Sequence, residues 1–278
     1  NIQPIEHMVP YPNLRALVDG QNIKYGQKLV YTEHKLTSDK AYSMAQQTAN
    51  WLVSMGISPK ERILVDQLPF PQNEILAFGI WTLGASMVLI GDQNIADATK
   101  NSAPSLIINS DVNYFEKIKT FSKNFNPTYK PLLADEAMVF WNDGKGIKLS
   151  HYNLLVNTNG IQHAIDLYEN QTFHVSLEPK SMAWVILQAI LPLYSGAPLT
   201  AKDPDIYLGE NEGNFLIKFQ WEQLEETNPP TLFMLNENTA FISKNKTPIH
   251  LSGMNNTDKP TEITGHSVMM GYLDDKLN

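Results

Sequence analysis

At 278 residues the chain is long enough to bury a substantial core, as one large or two modest domains. A formal net charge of -8 with no basic stripe argues against nucleic acid or an anionic membrane surface as a partner. The absence of cysteine excludes disulfides, thiolate metal sites and cysteine nucleophiles, and fits a reducing cytoplasm.

In chain order, the opening NIQPIEHMVPYPNL lacks the basic-then-apolar pattern of a secretion signal. It carries no initiator Met, so a longer gene product is expected. Leu29 to Thr32 reads as a short strand. TSDKAYSMAQQTANWLVSMG reads as a helix, capped by Thr37 or Ser38 and ended by Gly56. Its face is Ala41, Met44, Ala45, Thr48 and Leu52. RILVDQL then reads as a strand, Asn73 to Leu83 as a second helix, and SMVLI as a strand covered on both sides.

A short polar helix over residues 95–101 precedes the strand SLIIN, and VNYFEKIKTFSKNF has the spacing of a third amphipathic helix. AMVFW returns to strand. Ser150 caps HYNLLVNTNGIQHAI, FHVSL reads as a strand, and SMAWVILQAILPLY as a buried helix. That last run, Met182 to Tyr194, is too short to span a bilayer, which takes about 20 residues. This alternation predicts an α/β fold of layered, mostly parallel sheets flanked by helices. The strands near Ile63–Leu68, Met87–Ile90, Leu106–Ile108, Met138–Trp141 and His174–Leu177 are expected to share sheet structure with substantial parallel pairing.

The texture changes near Ala201. AKDPDIYLGENEGN is polar and acidic and reads as a long loop, followed by short strands in TLFML, AFIS and PIHL. Residues 1–200 are therefore read as a first α/β subdomain and 201–278 as a second, incomplete one.

Few motifs carry chemistry on spacing alone. AMVFWNDGKGIKLSHYNLL runs from a strand through a Gly/Lys knot toward a helix start, a layout that offers backbone N–H groups and Lys145 or Lys148 to an anion. The G-x-x-x-x-G-K-[ST] pattern is absent, and an ordinary turn is the other reading. Asp203, Asp205, Glu210 and Glu212 cluster without the ligand order of a calcium loop, so a solvated acidic loop is expected. The seven histidines show no metal spacing, and no G-x-S-x-G elbow supports a hydrolase. The sequons at Asn170, Asn245 and Asn255 mean little without a secretion signal.

The order of segments says more. LVYTEHKLTSDKAYSMAQQTANWLVSMGISPKERILV, PQNEILAFGIWTLGASMVLI, GIKLSHYNLL, LPLYSGAPLT and TEITGHSVMMGYLDD resemble, collinearly, successive stretches of the AMP-forming acyl-CoA synthetase (adenylate-forming ligase) family. The resemblance touches most of residues 29–275. It implies two related subdomains with a nucleotide cleft near their junction. It also implies ATP-dependent activation of a small carboxylic acid to an acyl-adenylate, then a thioester, with ATP/AMP, Mg and coenzyme A as cofactors in a cytoplasmic setting.

Carried over residue by residue, Gly144 matches the first glycine of the family's phosphate loop, and Lys145–Gly146 match its closing Lys-Gly. Asn236 and Glu237 resemble the family's Thr-Glu, which makes Glu237 the expected magnesium ligand; a plain turn is the other reading there. Five loop positions between Gly144 and Lys145 have no counterpart. Either those two residues flank a longer loop or the loop is truly short. Asn278 falls before the family's ribose-binding Asp, hinge and C-terminal domain. The catalytic residues are therefore unknown, and these 278 residues alone are expected not to complete the reaction. A degenerate relative that binds a ligand or a protein without turnover is the alternative.

Overall fold

A computed structural model describes residues 9–91, 94–221, 228–255 and 262–278. The leaderless reading of residues 1–8 and the Thr257 of the Asn255 sequon lie outside the described residues.

The chain opens with α1 (Leu14–Tyr25), which the sequence reading missed because its apolar face is thin. Asn13 caps it by accepting from Ala16 N at 2.8 Å. β1 (Leu29–Tyr31) and β2 (Leu36–Thr37) form a small antiparallel pair. Then α2 (Ser38–Ser54), β3 (Arg62–Val65), α3 (Gln72–Leu83), β4 (Ser86–Ile90), α4 (Ile95–Ser102), β5 (Leu106–Ile108) and α5 (Tyr114–Ile118) alternate as expected. The third amphipathic helix is shorter than predicted, and α2 supplies the reason. Gln47 Nε2 donates to the carbonyls of Lys119 and Phe121, and Asn50 Nδ2 to those of Ser122 and Asn124. Side-chain amides thus take carbonyls that a longer helix would use internally.

β6 (Glu136–Asn142) and β7 (Lys145–Ser150) lead into α6 (His151–Ala164). Ser150 caps α6, with its hydroxyl and Asn153 bonding reciprocally. β7 is a strand where a loop feeding straight into a helix was expected. β8 (Phe173–His174) precedes a buried helical run made of α7 (Met182–Trp184), a π-helical stretch (Val185–Ile190) and α8 (Leu191–Ser195). Pro192 has no N–H to bond the Gln188 carbonyl four residues back. That carbonyl instead accepts from Tyr31 Oη at 2.9 Å. The wider turn therefore has a local cause.

The remainder is β9 (Ile206–Gly209), β10 (Phe215–Lys218), β11 (Thr231–Met234), β12 (Phe241–Lys244), β13 (Thr247–Pro248), β14 (Ser252–Met254), β15 (Ile263–Gly265) and β16 (Gly271–Tyr272). β9 lies inside the segment read as one long acidic loop, where Asp205 accepts from Thr172 instead of facing solvent alone.

Two six-stranded sheets organise these elements. The first has the order β16-β7-β6-β4-β3-β5; β5, β3, β4 and β6 are mutually parallel, and β7 and β16 add antiparallel at one side. Its inner strands are buried on both faces. Ile63, Val65, Met87, Leu89, Met138 and Phe140 face the main core, while Leu64, Val88 and Val139 meet Ala98 and Trp141 on the other side. The period-2 alternation of strands splits the apolar runs this way. The second sheet has the order β13-β12-β11-β10-β9-β8. The strand at 173–174 belongs to this sheet and not, as expected, with the four earlier strands, because α6 carries the chain across. α6 packs on β6 and β7 of the first sheet and β12 of the second. β8, from before residue 200, edges the second sheet, and β16, from after it, edges the first.

Candidate functional site

The β6–β7 connection is a two-residue turn. Asn142 pairs directly with Lys145, and Asp143 and Gly144 both have positive φ, 49° and 71°. That is the type I′ hairpin geometry for which Asp-Gly is a preferred sequence. In this chain the connection closes as a tight turn, with Asn142 Nδ2 donating to Asp143 Oδ2 at 2.8 Å. Gly144 and Lys145 are exposed and Gly146 is buried. A Cβ on Gly146 would lie 2.4 Å from Leu273 Cδ1, so the glycine makes room for the segment after β16.

That segment brings the site together. Asn153 Nδ2 donates to the carbonyls of His266 and Val268, at 3.0 Å each, and so holds 266–268 on α6. Tyr152 Oη and His266 Nδ1 lie 2.8 Å apart. β16 then pairs with β7, Tyr272 opposite Ile147, with Met270 N on Lys148 O and Leu273 N on Gly146 O. Lys145 Nζ sits 5.7 Å from the Tyr272 ring centroid, a cation–π distance.

A 3-10 turn over Asn236–Asn238 forms the third side. Met269 N donates to the Glu237 carbonyl at 3.0 Å, and Tyr272 Oη donates to Glu237 Oε1 at 3.2 Å. Burial first, and the Glu237 charge second, push the Tyr272 phenol above its ordinary range, which keeps it a donor. Tyr272 is therefore in contact with both Lys145 and Glu237. Sequence reasoning missed it; the Gly-Tyr after Val-Met-Met was the signal that could have marked it. Asn236 Oδ1 is buried without a hydrogen-bond partner.

The donor set can be tested against a nucleotide. A type I′ turn pairs the residues on both its sides, so few backbone N–H groups remain for phosphate, and Asp143 adds a repelling carboxylate. Lys145 is the cation that the turn itself contributes. These residues fit one phosphate better than a wrapped triphosphate. Among the described residues no three His, Asp or Glu converge as metal ligands. A lone carboxylate such as Glu237 still fits magnesium where phosphate oxygens complete the coordination. No helix among the described residues is long and apolar enough to cross a membrane.

No family model and no curated protein matches the chain. Solved structures do. The N-terminal subdomain of NpsA from Klebsiella oxytoca, in complex with 3-hydroxybenzoyl-AMSN, superposes with a TM-score of 0.79 at 14% identity, over 99% of this chain and 91% of that one. This is the N-terminal subdomain fold of AMP-forming adenylation proteins. The N-terminal domain of FACL13 from Mycobacterium tuberculosis gives a TM-score of 0.76 at 11% identity, over 95% of this chain and 92% of that one. The long-chain-fatty-acid-CoA ligase FadD1 from Archaeoglobus fulgidus gives 0.73 at 14% identity, over 96% and 77%. At such identities the fold is what is shared, and it is the fold that the collinear segments had implied.

Proposed function

We propose that this chain is the core of an adenylate-forming acid–thiol ligase, acting on a small carboxylic acid in the cytoplasm. The observation that carries the reading is the convergence of Lys145, Tyr272 and Glu237, from three separated segments, on a fold whose solved neighbours include an adenylate-analogue complex and a CoA ligase. In the reaction, a carboxylate oxygen attacks the α-phosphorus of ATP and the bond to the β-phosphate oxygen breaks, releasing pyrophosphate. A thiol, coenzyme A, then attacks the acyl carbon, loses its proton and displaces AMP. Lys145 serves as a point charge beside the phosphate, Asn236 Oδ1 accepts from the base, and Tyr272 orients Glu237. Glu237, together with phosphate oxygens, would hold magnesium, which would supply charge neutralisation.

The tight Asp143–Gly144 turn supports a second reading, a binding module without turnover, since it lacks the donors that hold β- and γ-phosphates. ATP–pyrophosphate exchange with a panel of small carboxylic acids, on the intact gene product, separates the two. Exchange with one acid supports the ligase. Tight binding of an acyl-sulfamoyl adenosine with no exchange supports the binding module. Neither binding nor exchange removes both.

A further inference from the structure

A second polar site lies away from the β6–β7 turn, between the start of α3 and the π-helical stretch. Glu74, in the first turn of α3, is 1% exposed. Its Oε1 accepts from Trp184 Nε1 and from Gln188 Nε2, both at 2.8 Å. Its Oε2 is buried and has no partner. The residue borders a cavity of about 350 Å³ that Gln67, Leu68, Phe70, Leu177 and Glu178 also line. Gln67 Nε2 is likewise buried without an acceptor. Among the described residues no lysine, arginine or histidine lines this cavity, and the nearby Lys180 Nζ is bound to Glu178 Oε2 at 3.1 Å.

A carboxylate oxygen left unpaired in the interior is costly, and the cost falls when a cation or donor reaches it. Burial raises the Glu74 carboxyl in spite of the two bonds on Oε1, and a cation reaching Oε2 would hold it ionised, with Oε2 as the acceptor. The complementary occupant is small, positively charged at an N–H donor, apolar along its stem to match Leu68, Phe70 and Leu177, and equipped with an oxygen for the Gln67 amide. We propose that this cavity binds a small primary ammonium compound bearing a hydroxyl or carbonyl, with Glu74 Oε2 as its counter-charge. The site stands independently of the ligase reading, because none of its groups belongs to the Lys145–Tyr272–Glu237 cluster.

The Trp184 indole N–H reports on it directly, since it is bonded to the same carboxylate. In ¹H–¹⁵N spectra of the 278-residue chain, with the resonance assigned by its loss in Trp184→Phe, protonated 3-amino-1-propanol should shift this signal saturably. The neutral isostere 1,3-propanediol should not. Glu74→Gln keeps the shape and removes the charge, and should weaken binding by about tenfold or more, the effect of a hydrogen bond to a charged group. Leu177→Trp, on the half-exposed wall, should fill the cavity and abolish the shift with Glu74 intact, so it decides the matter if Glu74→Gln does not fold. An equal response to the diol, or undiminished binding in Leu177→Trp, would overturn the proposal. So would no response to the amine at all, which would leave the cavity to water.

Discussion

Two glutamates, each bonded to an aromatic donor, divide the molecule into an interior seam and a rim. Glu74 accepts from the Trp184 indole inside the packed contact between α3 and the helical run that follows. Glu237 accepts from the Tyr272 phenol at the partly exposed junction of β7, β16 and the 236–238 turn. The interior bond is short, supported by Gln188, and desolvation raises the Glu74 carboxyl despite it. The rim bond is longer, at 3.2 Å, and water competes for both partners. Polar groups in the seam are thus tied to stability, while those at the rim remain available to a ligand at little cost to the fold.

The largest test of this contrast is Trp184→Ala. It removes a fully buried indole and strips Glu74 of a donor, and a loss of about 4 kcal/mol is expected from the cavity alone. Urea denaturation measures it; a loss below one quarter of that would mean the seam does not hold the core.

A second test uses acid. His151 is buried at the start of α6, and its Nδ1 accepts from Leu14 N at 3.3 Å. Burial pushes its pKa down from 6.5 to about 4. Because the folded value is depressed, the neutral ring's contribution is complete above pH 6.5 and is lost as pH falls toward about 4. The unfolded state binds the proton first across that window. The span corresponds to roughly 3 kcal/mol. The urea midpoint should therefore fall between neutral pH and pH 4, and His151→Gln should flatten that part of the profile.

At the rim, Gly144→Ala asks for a positive φ from a residue that disfavours it, with nothing nearby for the new Cβ to strike. The expected cost is about 1 kcal/mol, visible as a small fall in Tm; a cost matching that of Trp184→Ala would erase the distinction between seam and rim. The smallest effect on stability belongs to Lys145→Ala. Its denaturation curve should superimpose on the parent, while calorimetry should show affinity for an acyl-sulfamoyl adenosine reduced by about tenfold. Unchanged affinity would remove Lys145 from the site.

Most of the first sheet was legible in the sequence because its parallel strands are buried on both faces and read as continuous apolar runs, as SMVLI does. β7 was not, since Lys145 and Lys148 interrupt its pattern and the glycines suggest a loop. The Asp-Gly pair was itself a hairpin signal, in keeping with the ordinary turn that stood beside the phosphate-loop reading. β8 strayed because pairing partners of a two-residue strand follow from where α6 delivers the chain, which no local pattern encodes. Of the site residues, Lys145 meets the ring of Tyr272 and Glu237 its hydroxyl, Gly146 serves packing, and Tyr272 emerged only when β16 was seen against β7.

The two-residue length of β16 has a kinetic consequence. Its partner β7 lies well over a hundred positions earlier, so docking closes a very long loop for a handful of hydrogen bonds. Such a segment joins late in folding and opens first in the native state. Amide exchange at Tyr272 and Leu273 should therefore outpace exchange at Leu64 and Val88 by orders of magnitude. The contacts of Lys145 and Glu237 with Tyr272 are then a fluctuating assembly on a sheet that stays folded without it, and a nucleotide bound there would be read as slowed exchange at that one strand.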